Sequence, residues 1–183
     1  MDLPDRWGVR PDELATPLPC DALAPPGARA LWRGVTVAAP PAVVFRWLCQ
    51  LRVAPYSYDW IDNRGRRSPR TRSPELEELD VGQTVMSIFE LVAFERDRHL
   101  TLRNRSRGGA RSLFGEVWVS YAVTPEAEGR SRLLGKLRFV PPPGLWGRFV
   151  NAALGWGDWV MMRKQLLTLK ELAEREAATH AAA

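Results

Sequence analysis

Residues 141–144, PPPG, separate two different hydrophobic rhythms. Upstream, short segments alternate apolar and polar side chains. Downstream, Trp159, Met162, Leu166, Leu169 and Ala173 recur at steps of three, four, three and four. Alternation is the period of a half-buried strand, and the longer step is that of a helix with one apolar stripe. Consecutive prolines fix φ and lack N–H groups, so neither period runs through them. A sheet with one apolar face and a helix with one apolar stripe each need cover, and each can cover the other. The chain is therefore expected to be an α+β domain in which a sheet packs on a long C-terminal helix over residues 158–176. Gly155 and Gly157 are expected to kink the entry to that helix, with Asp158 near its start.

The strand segments can be placed individually. ALWRGVTVAA, residues 30–39, reads as a strand from its β-branched and aromatic content. PPAVVFRWLCQL follows. Its two prolines suit the first turn of a helix, and Val44, Trp47, Leu48 and Leu51 fall on one face. LDVGQTVMSIFELVAFERD, HLTLRN, SLFGEVWVSYAVTP and SRLLGKLRFV supply further antiparallel strands, with RSRGGAR and PEAEGR as hairpin loops. Along SRLLGKLRFV, Leu133, Leu137 and Phe139 alternate with Arg132, Lys136 and Arg138, which predicts that the basic side chains face outward. Six prolines among residues 1–29 forbid a regular helix or central strand there. That segment is read as a partly ordered arm, followed by one domain over residues 30–177 and a frayed tail over 178–183.

Composition narrows the function classes. The chain has 183 residues, 45% hydrophobic and 26% charged, enough for one soluble domain with a real core. No apolar run approaches the roughly 20 residues needed to span a bilayer. The N-terminus, MDLPDRWGVRPDEL, has no apolar signal core, and Cys20 and Cys49 lack paired spacing, so a reduced, cytoplasmic protein is expected. The net charge is +5. Arg64, Arg66, Arg67, Arg70 and Arg72 cluster, but Glu75, Glu77, Glu78 and Asp80 follow at once and nearly cancel them. A nucleic-acid binder presents a basic stripe with stacking aromatics or a known motif, and this loop has neither. No nucleic-acid partner is expected.

Taken in order, TVAAPPAVVFRWLCQL, YSYDWIDN, LDVGQTV, RHLTLR, EVWVSYAVTPEAEGRSRLLGKLRF and DWVMMRKQLLTLKELAE resemble the START-like superfamily, in its polyketide cyclase/dehydrase and lipid-transport (SRPBCC) branch. The resemblance covers residues 30–176. It implies a helix-grip fold (Bet v 1-like), a curved antiparallel sheet wrapped around a long C-terminal helix, with an internal apolar cavity. The chain departs from the family pattern at GQTVMSIFELV, which is compressed and implies a shortened hairpin and an altered cavity mouth. The scaffold hosts carriers, receptors, cyclases and co-chaperone-like modules, so the fold alone does not give the function.

Candidate site residues follow from pattern and resemblance together. Tyr56, Tyr58 and Trp60 alternate after the first helix, and the family's connector at this place borders the cavity. They are expected as an aromatic rim, with Tyr56 and Tyr58 at a mouth closed below by Trp159 and Met162. Asp59 points the other way, toward backbone or an arginine. Met86, Phe89 and Trp118 are further candidates for the lining, although strict alternation places Trp118 opposite Val117 and Val119. Glu90 and Glu116 lie within apolar strands and are the weak candidates for an acid or base, because an inward carboxylate would have a raised pKa. His99 and His180 are too far apart in the pattern for a metal site or a triad. No metal and no cofactor is called for. The expected function is binding of a small, largely apolar ligand, lipid- or polyketide-like, by a monomer or weak homodimer. The alternatives are a cyclase or dehydratase using a carboxylate or tyrosine as acid/base, and a regulatory interaction module without ligand.

Overall fold

The protein is described by a computed structural model covering residues 3–63, 65–105 and 115–181. Seven strands form one sheet: β1 (Arg6–Trp7), β2 (Arg29–Val37), β3 (Thr84–Val85), β4 (Phe89–Glu95), β5 (His99–Asn104), β6 (Glu116–Pro125) and β7 (Ser131–Val140). The spatial order is β1-β2-β7-β6-β5-β4-β3. Every pair is antiparallel except β1 with β2, where the N-terminal segment adds a short parallel edge. The α-helices are α1 (Pro19–Leu23), α2 (Pro41–Cys49), α3 (Asp59–Asp62) and α4 (Gly144–Ala181), with short 3-10 turns at Asp12–Ala15, Gln50–Arg52 and Pro74–Glu77. Residues 106–114, which hold all of the RSRGGAR loop but Arg105 and the first three residues of SLFGEVWVSYAVTP, lie outside the described residues, as does Arg64. No helix is long and apolar enough to cross a membrane among the described residues.

Pro41 begins α2 as its missing N–H requires, and the predicted face is buried: Val44, Trp47, Leu48 and Leu51 are all at or below 3% exposure. Alternation sends Leu31, Val35 and Val37 of β2, Val117, Val119 and Val123 of β6, and Leu133, Leu137 and Phe139 of β7 to one face. On that face lies α4, with Met162, Leu166, Leu169, Leu172 and Ala173 buried against the sheet and α2. A long helix gripped by a curved sheet is the arrangement that the two sequence periods and the resemblance both lead to.

Two features differ from expectation. The helix α4 runs unbroken from Gly144, well ahead of Asp158. Gly155 does not kink it. A Cβ there would come within 3.0 Å of Pro4 Cγ and 3.2 Å of Arg29 Nη2, so this glycine lets the N-terminal segment approach the helix. The second difference is the far face of the sheet. Arg132 and Lys136 point away from α4, as alternation requires, but both are only 6% exposed. Residues 8–28 lie across that face. Leu18, Cys20, Ala24 and Ala28 pack with Trp32, Trp118 and Ala122 into a second apolar cluster. Cys20 and Cys49 are both buried and free, Cys20 in α1 and Cys49 at the end of α2.

Candidate functional site

Between α4 and the apolar face of the sheet the packing is incomplete. A cavity of about 470 Å3 is walled by Val119 and Tyr121 of β6, Leu137 of β7, and Asp158, Met161, Met162 and Gln165 of α4. Two connectors close it: Pro55, Ser57, Ile61 and Asp62 on one side, and Met86 to Phe89 on the other. Most of this lining is apolar.

The cavity owes its shape to one row of the sheet. Pairing across β2, β7 and β6 sets Arg33 beside Gly135 and Gly135 beside Tyr121, all on the face toward α4. A Cβ on Gly135 would lie 3.1 Å from Met162 Sδ and 3.9 Å from Arg33 Cβ. The missing side chain therefore gives Met162 and the two long polar neighbours their room. Tyr121 Oη donates to Gln165 Oε1 at 2.5 Å, and Gln165 Nε2 donates to the Pro55 carbonyl at 2.7 Å. These bonds tie the sheet, α4 and the connector together at the cavity wall. Burial pushes the Tyr121 phenol well above its ordinary range, and the Asp158 charge adds to this.

Asp158 projects from the same helix face one turn before Met162. Its Oδ2 lies 2.6 Å from Arg33 Nη2, with the two side chains 7% and 0% exposed. The contact is close but poorly aligned: neither atom makes a well-directed hydrogen bond, and Arg33 Nε also lacks one. Arg33 Nη1 donates instead to the carbonyls of Asp5 at 3.0 Å and Trp32 at 2.8 Å. Burial raises the Asp158 carboxyl pKa, the adjacent guanidinium pulls it back, and the balance stands at about 6. A second carboxylate, Asp62, accepts a hydrogen bond from Ser57 Oγ while its Oδ1 is buried without a partner. Burial raises its pKa too. An apolar cavity with two carboxylates and a tyrosine at its wall can hold an oily molecule and offer it hydrogen bonds. It can also move a proton near neutral pH.

Met86, Phe89 and Met162, expected from the sequence, line this cavity. The other candidates sit elsewhere. Trp118 faces the opposite side of the sheet, in the cluster beneath the N-terminal segment, because β6 keeps strict alternation there. Trp159 does not line the cavity; its ring stands edge-on to Trp156 at 6.0 Å. Tyr56 is no rim residue. It is 1% exposed, and its φ of 56° turns the ring inward, edge-on to Trp47 at 6.2 Å. Tyr58 leads into the short helix α3 rather than an extended connector, and Trp60, 76% exposed, points outward. Asp59 holds this turn by accepting from the Ser68 N–H at 2.9 Å and Ser68 Oγ at 2.5 Å. Glu90 lies on the side of β4 opposite Phe89 and pairs with Arg103 at 2.5 Å. Glu116 opens β6 on the side away from Val117 and is no part of the cavity wall.

In the compressed segment β3 is two residues long, and Met86 and Ser87 turn back with φ of 47° and 60°. Non-glycine residues rarely adopt these angles, and here they carry Met86 over the cavity, where its sulfur meets Gln165 Nε2 at 3.4 Å. Arg33, Tyr121 and Asp158 were missed. The available signal was a charged residue at an inward position of an apolar strand and another of opposite sign in register with the helix stripe.

Among the described residues no group of three or more His, Cys, Asp or Glu side chains could hold a metal ion. No protein-family profile matches the chain, and no curated protein does. Solved structures do. A Mesorhizobium loti protein aligns at 16% identity over 80% of this chain and 98% of its own, with a TM-score of 0.51. An Arthrobacter aurescens protein aligns at 13% identity over 81% and 87%, TM-score 0.51. An aromatase/cyclase from Streptomyces sp. R1128 aligns at 16% identity over 80% and 94%, TM-score 0.50. At these identities the likeness is one of fold, and the fold is the helix-grip fold.

Proposed function

We propose that the chain binds a small, largely apolar molecule, lipid- or polyketide-like, in the cavity between α4 and the sheet. The observation that carries this reading is the cavity itself. Its volume of about 470 Å3 falls in the range of small-molecule sites, and a mostly apolar wall with a few converging polar groups is the usual make-up of such sites. Met86, Met161 and Met162 give the wall adaptable side chains, which suits an irregular ligand. Ile88, 44% exposed, stands at the opening. The protein acts in the cytoplasm as a monomer or weak homodimer, without nucleic acid. In support, Arg70 and Arg72 of the arginine loop pair with Glu171, Glu77 and Glu176 rather than standing as free cations.

Native mass spectrometry of the purified protein is the direct test, with titration of anilinonaphthalene sulfonate as the quantitative one. A bound small molecule, and a dye affinity that falls at least about tenfold in Ile88→Trp, are expected; tenfold corresponds to about 1.4 kcal/mol, within the worth of one buried apolar side chain. No adduct and no dye uptake would favour the ligand-free interaction module.

A second reading has its own observation. Asp158 is a buried carboxyl at a cavity wall with a pKa near 6, close to the value that suits an acid or base at neutral pH. One structural neighbour is an aromatase/cyclase. An enzyme of cyclase or dehydratase type would use Asp158, with Tyr121 nearby, to move a proton α to a carbonyl. Exchange of the α-protons of nonane-2,4-dione in deuterium oxide, accelerated by the wild type and not by Asp158→Asn, would support catalysis. Equal rates in both would remove Asp158 from it.

A further inference from the structure

A second hollow, of about 340 Å3, lies along the N-terminal half of α4. Trp146, Phe149, Val150 and Leu154 wall it, and apart from Asp158 every lining residue is apolar or glycine. Three residues line both hollows: Leu137, Asp158 and Met161. The boundary between the two spaces is thus two apolar side chains and one carboxylate, 7% exposed.

We propose that the two hollows form one site for an elongated, largely apolar molecule with a hydroxyl group in mid-length, whose O–H donates to Asp158 at the waist while an apolar arm fills each hollow. The proposal rests on the cavity reading given above and extends it to the shape and chemistry of the ligand.

Three observations converge on it. Asp158 is the polar side chain common to the two spaces, so a ligand spanning both passes it at mid-length and not at an end. An ionised carboxylate has about four acceptor sites and no donor. Arg33 Nη2 lies against Oδ2 at 2.6 Å in poor alignment, and Oδ2 has no directed hydrogen bond. An O–H supplies the donor this group lacks, whereas a ligand carbonyl or carboxylate would set acceptor against acceptor. A secondary alcohol or a phenol fits; a terminal acid does not. Finally, the second hollow has usable space beside Asp158: a Cβ built on Gly157 meets nothing within 4 Å.

The test is displacement of anilinonaphthalene sulfonate by three alcohols, with uptake checked by native mass spectrometry: tridecan-7-ol, tridecan-1-ol and heptan-4-ol. The wild type should take tridecan-7-ol about tenfold or more tightly than tridecan-1-ol, the scale of one hydrogen bond to a charged group. It should also prefer tridecan-7-ol to the short heptan-4-ol. The double variant Arg33→Met/Asp158→Leu, which removes both charges together, should lose the first preference. Gly157→Leu, whose added side chain has room on α4, should lose the second. If the double variant does not fold, the wild-type preferences and Gly157→Leu decide. Uptake of all three alcohols without discrimination overturns this proposal and leaves the cavity reading standing. Uptake of none overturns both.

Discussion

The sheet buries an arginine–carboxylate pair on each face, and the two pairs are built differently. On the outer face, Arg132 Nε and Nη2 donate to the two oxygens of Glu13 at 2.6 and 2.8 Å, and Nη2 also reaches the Gly8 carbonyl at 2.5 Å. Nη1 takes Thr36 Oγ1 at 3.4 Å, so every guanidinium nitrogen has a partner. On the inner face, Arg33 and Asp158 are as deeply buried and as close, yet Arg33 Nε and Nη2 and Asp158 Oδ2 lack directed hydrogen bonds. The two acids respond in opposite directions. Burial alone would raise the Glu13 pKa, but the bonds from Arg132 and the Arg10 N–H outweigh it and hold it below its ordinary value. For Asp158 burial prevails. A saturated, bidentate pair fixes geometry and has no capacity to spare. An unsaturated pair at a cavity wall keeps capacity for a guest. The outer face is thus fastened, and the inner pair keeps hydrogen-bonding atoms without partners.

The largest effect should come from breaking the fastener. Arg132→Met leaves Glu13 buried without its partner and should cost about 3–5 kcal/mol in urea unfolding. A cost under about 1 kcal/mol would mean that the N-terminal segment lifts off freely and that the outer face is not fastened at all.

The inner face should depend instead on apolar contact. Leu166 is fully buried in the α4 stripe, and Leu166→Ala should cost about 2–5 kcal/mol. A loss below about 0.5 kcal/mol would show that α4 is not held by its stripe.

The opposite pKa directions give opposite pH dependences. The Asp158 pKa is higher in the folded protein, about 6, than its ordinary 3.8. Its contribution to stability is therefore complete below the ordinary value and is lost as pH rises through about 6. A shift of about two pH units corresponds to about 3 kcal/mol. Asp158→Asn cannot ionise, so its stability relative to wild type should improve by that order between about pH 4 and pH 7. Glu13→Gln should behave in reverse. The wild type's advantage over it is present above the ordinary glutamate pKa and shrinks as pH falls through the lowered folded value. Two flat difference curves would erase the contrast between the faces.

The contrast also marks what the sequence could disclose. Periodicity told which strand residues share a face, and it placed the α2 face and, Trp159 apart, the α4 stripe, because both follow from local spacing alone. It could not tell what lies on the second face. Proline spacing in residues 1–29 rules out long elements, but the short ones that do form, Pro19–Leu23 among them, cover Trp118 and Lys136 by long-range contact. Hence Trp118, a candidate for the cavity lining by sequence, lies beneath the N-terminal segment, and Lys136, expected outward, is buried against Asp21 and the Trp32 ring. Asp158 and Arg33 required two segments far apart in sequence to be set opposite one another. Met86, Phe89 and Met162 do stand at the cavity wall, because an adaptable or large apolar side chain on an inward face is a local property. Tyr56 was misplaced for a backbone reason: a left-handed φ at one residue reverses where a ring points, and alternation assumes extended backbone.

Tyr56 also offers the smallest and most discriminating test of open against closed capacity. Two tyrosines sit in the core beside α4. Tyr121 Oη is bonded to Gln165, whereas Tyr56 Oη is buried without a hydrogen-bond partner. Burial pushes the Tyr56 phenol up to about 12, so its proton stays in place at any working pH. An unsatisfied buried hydroxyl costs free energy that a hydrogen-bonded one recovers. Tyr121→Phe should therefore lose about 1 kcal/mol, while Tyr56→Phe should be neutral or gain up to about 1 kcal/mol. The paired urea titrations separate two accounts of the aromatic stretch. A neutral or stabilising Tyr56→Phe makes the ring a core element whose hydroxyl is a small liability. A loss matching that of Tyr121→Phe would mean that the hydroxyl is satisfied from the 140 Å3 recess it shares with Lys164 and Thr168. That recess would then hold a molecule of its own, and the stretch would be a binding element after all.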